Sequence, residues 1–150
     1  MGSSWTQNYY HIVYGTKFRT PWINPEFEQR IHAFVGGIAK DLRCTPIAIN
    51  GMAEHIHVLV RFPSDLAISV LVRDLKSRST NWIRPTFPGL LDFSWQEGYG
   101  GFTVSKPNVE AVAEYIRDQK NRHRAKTFEE EYLQMFRESG WEGNPDELFG

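Results

Sequence analysis

The sequence predicts an α+β domain of the ferredoxin-like, RRM-like type, with the element order β-α-β-β-α-β and further helices behind it. Three observations carry that prediction. Aromatic and β-branched runs of strand length occur near residues 9–18, 45–62 and 93–104. Two long segments between them repeat apolar residues at helical spacing. Their alternation gives the split βαβ pattern. At 150 residues, with 41% hydrophobic and 14% aromatic content, the chain can bury a core and is not disordered. No internal repeat or linker is visible, so one domain over residues 1–150 is expected, with 128–150 as an acidic C-terminal helix and tail.

The elements follow in order. Tyr9-Tyr10-His11-Ile12-Val13-Tyr14-Gly15-Thr16-Lys17-Phe18 reads as the first strand. Asn24-Pro25 signals a helix start, and Phe27, Ile31, Phe34, Val35, Ile38, Ala39 and Leu42 form one apolar stripe. Thr45 to Met52 is a second strand, turned at Ala53-Glu54 into a third strand ending at Phe62. Pro63-Ser64-Asp65 opens a second helix, with Leu66, Val70, Leu71, Leu75 and Trp82 inward and Arg73, Lys76 and Arg78 outward. Phe93 to Val104 is expected as a last strand bent at its glycines. Pro107 begins a third helix running to about Arg122, and Phe128 to Glu138 forms a short terminal one.

Composition bounds the function. No 18-residue apolar run and no secretory leader are present, so no membrane association is expected. Cys44 is the single cysteine, which excludes an intrachain disulfide and fits a reducing cytoplasm. Net charge is −1, but residues 128–150 hold seven acids against Arg137. The remaining 127 residues therefore carry 16 bases and 11 acids, a balance compatible with phosphate binding.

Chemistry concentrates in two stretches. In Met52-Ala53-Glu54-His55-Ile56-His57-Val58-Leu59-Val60-Arg61-Phe62 strand alternation turns His55 and His57 to one face and Ile56, Val58 and Val60 to the other. Two imidazoles so placed can reach one divalent cation; equally, one can satisfy a hydrogen bond while the other lies at the surface. In the third helix, Val109, Val112, Ala113 and Ile116 form the core stripe. Tyr115 and Gln119 lie one turn apart on its flank, either as a core-edge cover or as groups offered to something docked there. The other five tyrosines, Tyr9, Tyr10, Tyr14, Tyr99 and Tyr132, have structural readings in strands or the terminal helix.

Together, His55-Ile56-His57 and Tyr115-Ile116-Arg117-Asp118-Gln119 resemble the paired motifs of the single-tyrosine HUH transposases of insertion sequences (IS200-like), including their REP-associated relatives. The likeness extends through Tyr10-His11-Ile12-Val13, Trp95-Gln96-Glu97-Gly98-Tyr99-Gly100 and Lys126-Thr127-Phe128-Glu129-Glu130-Glu131-Tyr132, from about Tyr9 to Leu148. Glu54 departs from the Asp expected before the histidine pair.

The resemblance implies His55, His57 and Gln119 as ligands of Mg²⁺ or Mn²⁺. It makes Tyr115 the nucleophile that cuts single-stranded DNA near hairpin ends, leaving a 5′-phosphotyrosyl enzyme, as in DNA transposition and recombination. It also implies a homodimer with composite active sites, whose tyrosine helix need not fold back on its own sheet. Two alternatives remain: a domesticated nuclease that binds hairpin or repeat DNA, and a non-enzymatic ferredoxin-like nucleic-acid-binding module. A two-histidine phosphoesterase is excluded by the lack of a second His-x-Thr/Ser motif.

Overall fold

The computed structural model describes residues 2–149. Its centre is a four-stranded antiparallel sheet in the order β2-β3-β1-β4, built from β1 (Asn8–Gly15), β2 (Thr45–Met52), β3 (His55–Phe62) and β4 (Gly100–Val104). This is the ferredoxin-like order. The first and third strands are central because each is followed by a helix that returns the chain to an outer position.

Helices α1 (Glu28–Asp41) and α2 (Ile68–Thr86) cover one face. Strand alternation sends Ile12 and Tyr14 from β1, and Ile56, Val58 and Val60 from β3, into the core beneath them. Ile31, Val35, Ile38 and Ala39 of α1 meet Leu71, Val72, Leu75 and Ile83 of α2 there. Phe34 stacks on Trp82 at 4.2 Å across the pair.

The opposite face is covered too. Helix α3 (Val109–Arg117) places Val109, Ala113 and Ile116 against Tyr9, Ala48 and Leu59. A short helix α4 (Gln119–Arg122) follows, and α5 (Phe128–Glu138) packs Phe128 and Tyr132 over Val13. Helix α5 starts with a capping box: Thr127 accepts from the Glu130 backbone N–H, and the Thr127 N–H donates to the Glu130 carboxylate.

Several expected boundaries move, each for a local reason. Strand β1 stops at Gly15, because Thr16 turns its N–H and hydroxyl to the Glu54 carbonyl. Strand β4 is limited to residues 100–104; Phe93 and Trp95 are buried as part of an irregular segment that meets the end of β1 through the Thr16–Trp95 bridge, the Gln96 N–H on the Gly15 carbonyl and the edge-on contact of Trp95 with Tyr14. Gly98 ends that contact at φ 78, a left-handed backbone that favours glycine. Asn24 caps a turn rather than α1: its carboxamide oxygen accepts from the Glu26 N–H, and the helix begins at Glu28. In α2 the inward positions are Leu71, Val72, Leu75, Ser79 and Ile83, with Val70 and Trp82 only half-buried and Leu66 ahead of the helix. The expected third helix breaks at Asp118 (φ −91, ψ 13), so Tyr115 and Gln119 belong to different helical pieces. Among the described residues, no helix is long and apolar enough to cross a membrane.

Candidate active site

The site forms where the second face of the sheet meets α3, α4 and α5. His55 and His57 project from β3 on that face, as alternation requires, but neither is exposed: both are at 0% accessibility. The reading that leaves one histidine at the surface does not hold. It fails because α5 and the α4–α5 turn roof the strand, with Phe128 stacked on His55 at 4.2 Å and 10°.

Gln119, expected on a helix flank, is also fully buried. The break at Asp118 turns it inward, and its Oε1 lies 2.9 Å from His55 Nε2 and 2.9 Å from His123 Nε2. Asn50 of β2 holds the break, donating from Nδ2 to the Ile116 and Arg117 carbonyls at 3.1 Å each. Those are C-terminal carbonyls of α3 without an intrahelical donor.

Glu131 of α5 sits at the middle, 2% exposed. Its Oε1 faces His57 Nε2 at 3.1 Å, His123 Nε2 at 3.0 Å and His55 Nε2 at 3.5 Å. Its Oε2 accepts from Gln119 Nε2 at 3.0 Å and from the Tyr115 hydroxyl. The structure thus brings together all four residues singled out from the sequence, Tyr115, His55, His57 and Gln119, and adds Glu131 and His123.

Both additions left a trace in the sequence. Glu131 is an acid on the inward stripe of an amphipathic helix, between Phe128 and Tyr132. His123 continues the spacing of Tyr115 and Gln119 by four more residues. Outer contacts orient the donors: His11 Nε2 is 2.8 Å from His57 Nδ1, and Glu54 Oε1 is 2.6 Å from His55 Nδ1.

Electrostatics follow from burial around one carboxylate. Burial, with the neighbouring His57, pushes His11 down to about 3. Burial likewise holds His57 down to about 4, against the opposing pull of Glu131. For His123 burial is outweighed by the hydrogen bond and charge of Glu131, so it stays protonated to higher pH than an ordinary histidine. Burial works against ionising Glu131, but hydrogen bonds from His123, His57 and Tyr115 keep it far below the usual carboxylate range. Tyr115 is pushed above an ordinary phenol by burial and then by the adjacent Glu131, with Arg122 opposing from 5.0 Å over its ring.

One ligand atom from each of His55, His57, His123 and Glu131 lies within 4.8 Å of the others. Three neutral-capable imidazoles and a carboxylate, converging without a lysine or arginine between them, suit a divalent cation. Two openings flank the cluster. A groove of about 690 Å³ is lined by His11, Thr103, Ser105, Asn108 and Tyr115. A second, of about 530 Å³, is lined by Arg19, Glu54, His123, Arg124 and Lys126.

Comparison with known proteins gives the chain's relatives. A transposase of insertion sequence IS200 from Salmonella typhimurium is 27% identical over 116 residues, covering 73% of this chain and 75% of its own. The IS200 transposase of Salmonella typhi matches to the same extent. Among solved structures, a transposase from Deinococcus radiodurans R1 superposes with a TM-score of 0.65 at 23% identity, over 79% of this chain and 96% of its own. A REP-associated tyrosine transposase bound to a REP hairpin gives 0.62 at 16% identity, over 82% of this chain and 73% of its own. The family model described as "Transposase IS200 like" matches residues 4–119, the span that holds both histidines, Tyr115 and Gln119, and this chain is a member of that family of transposases.

Proposed function

We propose that the chain cuts and rejoins single-stranded DNA by transesterification at Tyr115, with Mg²⁺ or Mn²⁺ held by His55, His57 and Gln119 together with His123 and Glu131. The observation that carries this reading is the shared carboxylate: one Glu131 oxygen faces three imidazole nitrogens while the other accepts a hydrogen bond from the Tyr115 hydroxyl. Nucleophile and cation ligands therefore meet within one side chain's width.

The chemistry assigns each group a task. A phenol at neutral pH is a weak nucleophile; the ionised Glu131 accepts a hydrogen bond from the Tyr115 hydroxyl and so holds its oxygen in line with the site. As the phenolic oxygen bonds to phosphorus, the bond to the 3′ oxygen breaks, leaving a 5′-phosphotyrosine on the protein and a free 3′-OH. Because one ester replaces another, a second strand end can be joined by the reverse exchange. A divalent cation in the site would neutralise charge on the phosphate and fix its orientation.

The partner in this reading is single-stranded DNA beside a hairpin, supported by the related transposase solved on a REP hairpin. The whole of residues 1–150 acts as one domain, because α5 reaches into the site through Glu131. The single unpaired Cys44 fits work in the reducing cytoplasm. In the single chain α3 folds back on its own sheet and Tyr115 lies 6.0 Å, ring to ring, from its own His57. Each chain thus has its own Tyr115 beside its own histidines, and a homodimer with composite active sites, in which the tyrosines are exchanged, is the second arrangement that a mixing experiment distinguishes.

The test is capture of the adduct. Wild-type protein incubated with labelled single strands carrying hairpins, plus Mn²⁺, is expected to yield DNA that co-migrates with denatured protein and maps to Tyr115. Tyr115→Phe should form none, and excess EDTA should suppress it in the wild type. An adduct on another tyrosine, or undiminished cleavage by Tyr115→Phe, overturns the assignment.

A further inference from the structure

Directly after β1 the backbone does something costly. Phe18 (φ 58, ψ 17) and Arg19 (φ 54) are consecutive non-glycine residues in the left-handed region. Such conformations persist only where the surroundings over-determine them. Here Lys17 N–H donates to the Ser94 carbonyl at 2.9 Å, Arg19 N–H to Thr16 at 2.9 Å, and the Thr16 hydroxyl to the Thr20 carbonyl at 2.7 Å. What the turn displays is an aromatic ring in water: Phe18 is 73% exposed, one of three large hydrophobic residues so placed among the described residues. Neither stability nor local preference explains a phenylalanine there, since asparagine or glycine would adopt the same backbone more readily.

Its surroundings are those of a nucleic-acid contact. Lys17 Nζ lies 5.7 Å from the Phe18 ring. Arg19, stacked 4.6 Å from the Phe149 ring, lines the second groove together with Arg124 and Lys126. Two of that groove's acids are already engaged, Glu54 with His55 and Glu130 with the Thr127 cap. Its remaining wall includes His123, so the groove runs from Arg19, the residue after the exposed ring, to the histidine–glutamate cluster. Thr16, which starts the turn, is tied to the residue preceding His55 by its N–H at 2.8 Å.

We infer that Lys17-Phe18-Arg19 is a subsite for single-stranded DNA, in which Phe18 stacks on an unpaired base while Arg19, Arg124 and Lys126 hold the phosphates leading to the active site. Stacking on an aromatic side chain suits any base and needs no groove-reading geometry, which is what a strand beside a hairpin presents. The inference rests on the single-stranded DNA reading of the preceding subsection.

The experiment uses full-length Tyr115→Phe as background, without added metal, and a fluorescently labelled single-stranded oligonucleotide. Phe18→Asn keeps the left-handed turn while removing the ring. It is expected to weaken binding about tenfold or more, the effect of losing one stacked base, with a denaturation midpoint equal to or above the parent's. Phe18→Trp should retain or tighten binding, and an oligonucleotide carrying 5-iodouracil should photo-crosslink to the peptide containing Phe18. Unchanged affinity in Phe18→Asn, or a change in its sedimentation mass that marks the ring as a protein contact, overturns the subsite. Failure of the parent itself to bind single strands would instead overturn the broader functional reading.

Discussion

Glu131 is the residue on which the chemistry converges, and its environment sets a measurable preference. Three imidazole nitrogens against two oxygens, from Glu131 and Gln119, form a nitrogen-rich donor set, whereas Mg²⁺ prefers oxygen ligands and retains water. Mn²⁺ is therefore expected to bind the isolated protein more tightly than Mg²⁺ by calorimetry, and Glu131→Gln to weaken Mn²⁺ at least tenfold, in the range of lost metal-site partners. Equal affinity for the two cations would overturn the nitrogen-rich donor set, and an unaffected Glu131→Gln would remove Glu131 from it. At this scale the sequence was partly legible. His55 and His57 are visible because strand periodicity is strict, and Tyr115 because it lies off a helical stripe. Glu131 is hidden by its neighbours Glu129 and Glu130: in a run of three acids, only the helical phase distinguishes the buried one from two solvated ones. The burial of Gln119 was hidden for another reason, since the break at Asp118 follows from a tertiary hydrogen bond made by Asn50.

Among the elements, α5 carries more than its length suggests. It roofs His55 with Phe128, fills the space over Val13 and brings in Glu131. A chain ending at Lys126 is expected to keep the sheet and the α1–α2 core, seen as retained far-UV circular dichroism. It should lose several kcal/mol of stability, since burying an aromatic such as Phe128 or Tyr132 alone contributes about 3–5 kcal/mol. Its Mn²⁺ affinity should fall at least as far as that of Glu131→Gln. A truncated chain that binds Mn²⁺ like the intact one would show that α5 is a cover and not part of the site. The ends of α5 were readable because a capping box and an amphipathic stripe are local signals. The shortness of β4 was not: Phe93 and Trp95 have strand composition, and only the turn at Gly98 and the packing of Trp95 against Ser79 take them out of the sheet.

For the molecule as a whole, element order alone was sufficient to give the sheet order, because each βαβ crossover leaves few ways to place its strands. What order cannot give is whether the tyrosine helix serves its own sheet or a partner's. The single chain places Tyr115 at its own histidine pair. Mixing inactive Tyr115→Phe and His57→Ala proteins is therefore expected to restore no adduct formation; recovered activity would mean that the tyrosines are exchanged between two chains.

The 74 residues that separate Glu131 from His57 have a consequence in time. Synthesis runs from the N-terminus, and the strand bearing His55 and His57 is complete long before α5 exists. A growing polypeptide on the ribosome therefore holds the histidine pair without the carboxylate that joins it to the nucleophile. If the chain ending at Lys126 behaves as expected, DNA near the site of translation meets only an unarmed intermediate, and the group of residues proposed to break a strand is complete when α5 closes over the histidines.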